Sequence, residues 1–159
     1  MLQDATKFGN IVKLCPTILF SCRARKHNID MAQVKIFALR SSLNAMRSAL
    51  SDAIHRSVVD ALSYPADKKF HRFISLEPED FIFPLDRSAN YTIIEISMFA
   101  GRTTDTKKAL IRLLFANIEA SCGIKPQDLE ITITETPKEN WGIRGLPGDE
   151  LNLNYKVKV

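Results

Sequence analysis

A chain of 159 residues, 45% hydrophobic and 25% charged, is long enough to bury roughly 70% of its unfolded surface around one core, so no second domain is required. The formal charge of +4 would suit a nucleic-acid partner, but five of the 22 basic and two of the 18 acidic residues lie in residues 1–30. That leaves 17 against 16 from Met31 onward, without the electrostatic footprint of a nucleic-acid binder. Three cysteines (Cys15, Cys22 and Cys122) make neither an even disulfide set nor a metal-ligand spacing, which points to a reducing, cytoplasmic setting and no metal.

In chain order, the uncharged run Leu14 to Cys22 is nine residues, far short of the roughly 20 that span a bilayer, so no membrane partner is expected. Lys13 and Pro16 interrupt it, and Arg23, Arg25 and Lys26 follow it, where export signals avoid positive charge. Residues 1–30 read as a disordered or misassigned extension ahead of a start at Met31.

From Gln33, "QVKIFAL" alternates as a strand. Ser41 or Ser42 would cap the helix that follows, with Leu43, Met46, Leu50, Ala53, Ile54, Ala61 and Leu62 at helical spacing. Pro65 ends it, "FHRFISL" is a second extended stretch, and "EPED" turns.

The pattern then repeats about 60 residues later. "YTIIEISMF" is a buried-type strand, and Thr103 or Thr104 caps a helix carrying Ala109, Leu110, Leu113, Leu114, Asn117, Ile118 and Ser121 on one face. Gly123 ends that helix, and "DLEITITET" is the fourth strand.

Two βαβ units, about residues 33–80 and 91–141, predict an α+β domain over 31–159: a four-stranded mixed sheet with both helices on one face. A carboxy-terminal arm, 142–159, ends in "LNLNYKVKV", which alternates like an edge strand. The second face of the sheet, to which Ile93 and Met98 are assigned, needs a partner subunit as cover.

The segments "FAGRTTDTKKALIRLLF" and "ETPKENWGIRG", set after the third and fourth strands, resemble the tautomerase superfamily, in its fused-repeat branch that includes malonate semialdehyde decarboxylase-like proteins. The resemblance spans Met31 to about Val159. It implies a homotrimer that needs no cofactor and uses an amino-terminal proline as acid or base, with arginines that hold a small carboxylate-bearing substrate.

Carried over by motif, the proline position is Ala32, which qualifies only as an amino terminus. Arg102 falls on the arginine of Gly-Arg-Thr, and Trp141 falls on the aromatic of the pocket wall, with Ile143 beside it in the same motif. The decarboxylase branch's second arginine is Ala100 here, and its acidic residue aligns with Lys68, next to Asp67. Arg72 and Arg87 are further candidate substrate arginines. His71 reads as a partly buried structural histidine, His55 as solvated, and the glycines of "GIRGLPGDE" as turns.

The expected function is keto-enol tautomerisation of a small keto or enol acid. A trimeric ligand-binding relative without the base is the alternative.

Overall fold

The computed structural model describes residues 31–151; the extension 1–30 and most of the final "LNLNYKVKV" lie outside the described residues. Strand β1 (Ala32–Leu39) buries Ala32, Val34, Ile36 and Ala38 on one face, as a period of two requires. It runs directly into helix α1 (Arg40–Leu62), whose amino-terminal cap is Leu39, with no side-chain hydrogen bond. The serines expected to cap it lie inside its first turn. Ser42 instead donates to the Ala89 carbonyl, 2.6 Å away.

Strand β2 (His71–Leu76) follows, then a single 3-10 turn at Pro78–Asp80 and a long excursion to β3 (Thr92–Phe99). Helix α2 (Thr104–Cys122) is capped by Thr103, whose hydroxyl accepts from the Thr106 amide at 3.1 Å. Leu110, Leu114 and Ile118 of α2 are buried, whereas Ala109 and Ser121, assigned to the same face from the sequence, are exposed. A second 3-10 turn, Pro126–Asp128, opens into strand β4 (Leu129–Thr136), which leads to a third, Lys138–Asn140, and to a small hairpin of β5 (Gly142–Ile143) and β6 (Leu146–Pro147).

The sheet order is β2-β1-β3-β4, with β1 parallel to β2, β3 parallel to β4, and β1 antiparallel to β3. This is the expected mixed sheet. Val34, Ile36, Ile94, Ile96 and Met98 pack with Leu43, Leu50, Ile54, Leu110, Leu114 and Ile118 of the two helices in one core. Met98 therefore shares the helix-covered face with Ile94 and Ile96; the opposite face carries Phe37, Ile74 and Ile93 among polar groups such as Lys35 and Glu95.

The two repeats superpose in register. Val34 pairs with His71 and Ile94 with Ile131, an offset of 37 residues in each half. An approximate twofold axis relates residue i to residue i+60, and two pairs lie on it. Lys35 faces Glu95 across β1 and β3, 3.3 Å apart, and Asn117 donates to Ser57 between the helices at 2.9 Å.

Candidate functional site

β1 starts where β3 and β4 end, so one end of the sheet collects Ala32, the Gly101–Arg102 loop and the segment after β4. Ala32 pairs with Met98, and Met98 with Glu135, a single row across three strands on the helix-covered face. At a strand spacing of about 4.8 Å, Ala32 and Glu135 lie roughly 10 Å apart. Ala32 is only 3% exposed.

The loop that carries Arg102 is where the second repeat departs from the first. Residues 40–43 are helical, whereas their counterparts 100–103 are not, so α2 begins one turn late. Gly101 turns at φ 118°, a conformation that side-chain-bearing residues rarely adopt. Glu135 holds the unwound turn. One carboxylate oxygen accepts the Arg102 amide at 3.1 Å, and the other accepts Lys107 Nζ at 2.7 Å. Lys107, first, and these backbone donors keep the Glu135 carboxyl below its usual range despite partial desolvation.

The Arg102 guanidinium is half-buried and donates to the Leu62 carbonyl at the end of α1, 3.4 Å away. Burial pulls it below its ordinary value, and the Glu135 charge opposes that pull. A guanidinium with reduced hydration is well suited to a carboxylate or a developing oxyanion.

Trp141 meets Phe99 edge-on with ring centroids 5.1 Å apart. It lines a shallow cleft of about 350 Å³ with Gly142, Leu146 and Pro147, and its buried Nε1 has no hydrogen-bond partner among the described residues. Ile143, half-buried, pairs with Leu146 in the hairpin. Ala32 and Arg102 share this end of the sheet but do not line that cleft.

Asp67 is exposed in the α1–β2 loop, 3.1 Å from Lys68. Arg72, in register with Lys35, lies on the opposite face and donates to Gln33 Oε1 at 2.7 Å. Arg87 sits at the far end, 2.6 Å from Asp86 and over the Tyr91 ring.

Sequence reading missed Glu135, which looks like any polar position of an alternating strand, and missed the environment of the histidines. His71 Nδ1 is 2.9 Å from Ser51 Oγ, and burial, reinforced by His55 and Lys69, lowers its pKa to about 4. His55 is not merely solvated: its Nε2 bonds the Ala66 carbonyl at 2.8 Å, and its ring meets His71 edge-on at 6.2 Å. The larger open groove, about 480 Å³, lies nearby between α1 and β2, lined by Arg47, Ser51, Asp52, Lys69 and Phe73. Among the described residues, no three His, Cys, Asp or Glu side chains converge to hold a metal, and no helix is long and apolar enough to cross a membrane.

Two βαβ units sharing one mixed four-stranded sheet, with the Gly101–Arg102 loop at the end where β1 starts, define a class of fold, and comparison with known proteins gives the family. Residues 68–144 match the family of tautomerase enzymes. The 2-hydroxymuconate tautomerase of Pseudomonas putida is 39% identical over 57 residues, 36% of this chain and 90% of that protein. A malonate semialdehyde decarboxylase shares the fold with a TM-score of 0.66 and 23% identity, over 75% of this chain and 99% of that one. A fused 4-OT, solved as an asymmetric trimer, does so with a TM-score of 0.66 and 20% identity, over 74% and 96%. The chain belongs to the tautomerase superfamily as a fused-repeat member.

Proposed function

We propose that this protein catalyses cofactor-independent keto-enol tautomerisation of a small keto or enol acid, as a cytoplasmic homotrimer. The α-amine of Ala32 is the proton carrier when the mature chain begins there, and Arg102 is the charge partner. The observation that carries the reading is the unwound turn at Gly101–Arg102, pinned by Glu135, which sets a half-buried guanidinium at the sheet end where β1 starts. Family membership supports the reaction class, and a fused relative solved as a trimer supports the assembly.

The chemistry asks for a base whose pKa lies near the working pH. A free α-amine, about 7.7–8.0 unperturbed, meets that requirement, and an amide nitrogen does not. In ketonisation the amine takes the enol O–H proton, and the resulting ammonium returns a proton to the neighbouring carbon. Arg102 holds the substrate carboxylate or the oxygen on which charge develops. In the 159-residue chain the Ala32 nitrogen is bonded to Met31, so the activity requires processing or initiation at that point.

The test is ketonisation of phenylenolpyruvate by protein expressed from Met31, with the methionine trimmed, beside protein expressed from Met1. The short form is expected to turn over and the long form to be silent, with Ala32→Pro raising the rate of the short form. Arg102→Ala should lower the rate about a hundredfold, the loss of one preorganised charge contact worth about 3 kcal/mol. Equal rates from both forms, or indifference to Arg102, would exclude amino-terminal chemistry and favour a ligand-binding protein that kept the pocket without the base. The alanine at the proline position is the observation on that side.

A further inference from the structure

The repeat contains its own control for the loop that carries Arg102. In the first unit residues 40–43 are wound into α1, whereas in the second their counterparts 100–103 are not part of α2. Ser42, the counterpart of Arg102, is only 9% exposed, and its hydroxyl is bonded to the Ala89 carbonyl. That far end of the sheet is filled by Phe81, which stacks on Tyr91 with centroids 5.5 Å apart, and by Phe83, which packs against both rings. Ile82 and Leu85 of the same loop stand exposed. A wound turn thus buries a small side chain at this position and leaves no place for a guanidinium.

Three differences between the units bear on the turn. Gly101 stands for Ser41 and turns at φ 118°, and Thr103 stands for Leu43 and caps α2 late. The third lies outside the loop: Glu135 on β4 stands where the first unit has Ser75 on β2. Glycine permits an unwound turn without requiring one, and unwinding gives up intrahelical hydrogen bonds. The Glu135 carboxylate supplies acceptors in exchange. One oxygen takes the Arg102 amide at 3.1 Å, and the other takes Lys107 Nζ at 2.7 Å, a charge-assisted pair whose side chains are only 24% and 29% exposed. A serine is too short, and uncharged, to do both. Arg47, the counterpart of Lys107, lies over the Phe73 ring instead, 5.2 Å from its centroid.

We infer that Glu135 is a positioning residue: together with Lys107 it keeps the turn 100–103 unwound, and the unwound turn gives the Arg102 guanidinium its room at the end of the sheet where β1 starts. Glu135 acts through Arg102. Its bearing on turnover rests on the proposed tautomerisation, whereas its effect on the turn does not.

The experiment compares the full chain with Glu135→Ser, which copies the first unit, and with Lys107→Met, which leaves the carboxylate without its ammonium. Backbone carbon chemical shifts of residues 100–103 read the turn. They are expected outside the helical range in the wild type, inside it in Glu135→Ser, and part of the way in Lys107→Met. In protein expressed from Met31, Glu135→Ser is expected to slow ketonisation of phenylenolpyruvate about as much as Arg102→Ala, roughly a hundredfold. Glu135→Ser/Arg102→Ala is expected to be no slower than Arg102→Ala alone. A residue that merely supported the fold would add its own loss to that of Arg102.

Shifts at 100–103 that stay non-helical in Glu135→Ser overturn the inference, as does an additive loss in the double substitution. Unchanged shifts in Lys107→Met overturn the part given to Lys107, and the whole inference if Glu135→Ser does not fold. A wild type silent on phenylenolpyruvate overturns the proposed function and leaves the chemical shifts to decide the turn.

Discussion

His71 shows how burial turns a side chain into a sensor of acid. Held at about 4 in the folded chain and near 6.5 when unfolded, it is neutral in the fold and protonated in the unfolded ensemble between those values. Its contribution to stability is complete above pH 6.5 and is lost as the pH falls towards 4. Urea midpoints taken from pH 7 to pH 4.5 should therefore decline, and His71→Gln should flatten the decline; a midpoint as high at 4.5 as at 7 would remove His71 from the account. Ser51 Oγ gives Nδ1 of the ring a hydrogen-bond partner, while Asp52, partnered by Lys69 at 2.8 Å, gives only minor support to the protonated form. None of this is visible in "KKFHRF". The histidine lies on an ordinary strand, and its environment is made by a helix 20 residues earlier.

At the scale of elements, the repeat was readable because periods of two and 3.6 are imposed by burial against a common core. The caps were readable only in part. Thr103 follows a glycine turn and caps α2 as the sequence suggests, whereas β1 passes into α1 without a turn, so Ser41 and Ser42 never reach the cap position.

The helix ends hold a further asymmetry. Both close in the left-handed region, Gly123 at φ 70° and its counterpart Ser63 at φ 53°. A serine there carries a steric cost of about 1–2 kcal/mol that glycine avoids. Ser63→Gly should raise the melting temperature by about 2–8 °C, given the conversion for a chain of this size; calorimetry that finds a decrease would show that the serine makes a compensating contact. In the candidate site, Gly-Arg-Thr marked Arg102, but Glu135 became recognisable only when the register of β4 placed it in line with Met98 and Ala32.

For the whole molecule, the approximate twofold axis is the organising feature, and its two central pairs are unlike residues. Lys35 and Glu95 are each nearly half exposed, so their attraction is worth about 0.2–1 kcal/mol. Lys35→Glu or Glu95→Lys alone should destabilise by a similar amount, and the double exchange should restore most of the loss. Chemical denaturation of the three variants reads this directly; singles as stable as the wild type would mean that the pair is ornamental.

The axis also bears on descent. In an assembly of separate, identical half-length chains, a residue on the axis meets its own copy, so one gene cannot place lysine against glutamate there. Once the halves are joined, each such position is two independent codons. Duplicating either half of this chain would set Lys35 against lysine or Glu95 against glutamate, and Ser57 against serine or Asn117 against asparagine. The same freedom covers the two ends of the sheet: one could keep an arginine beside the opening strand while the other was rebuilt as an aromatic knot bearing Ile82 and Leu85. Engineering a second copy of the Arg102 end would thus mean undoing that divergence at the Ile82 and Leu85 end.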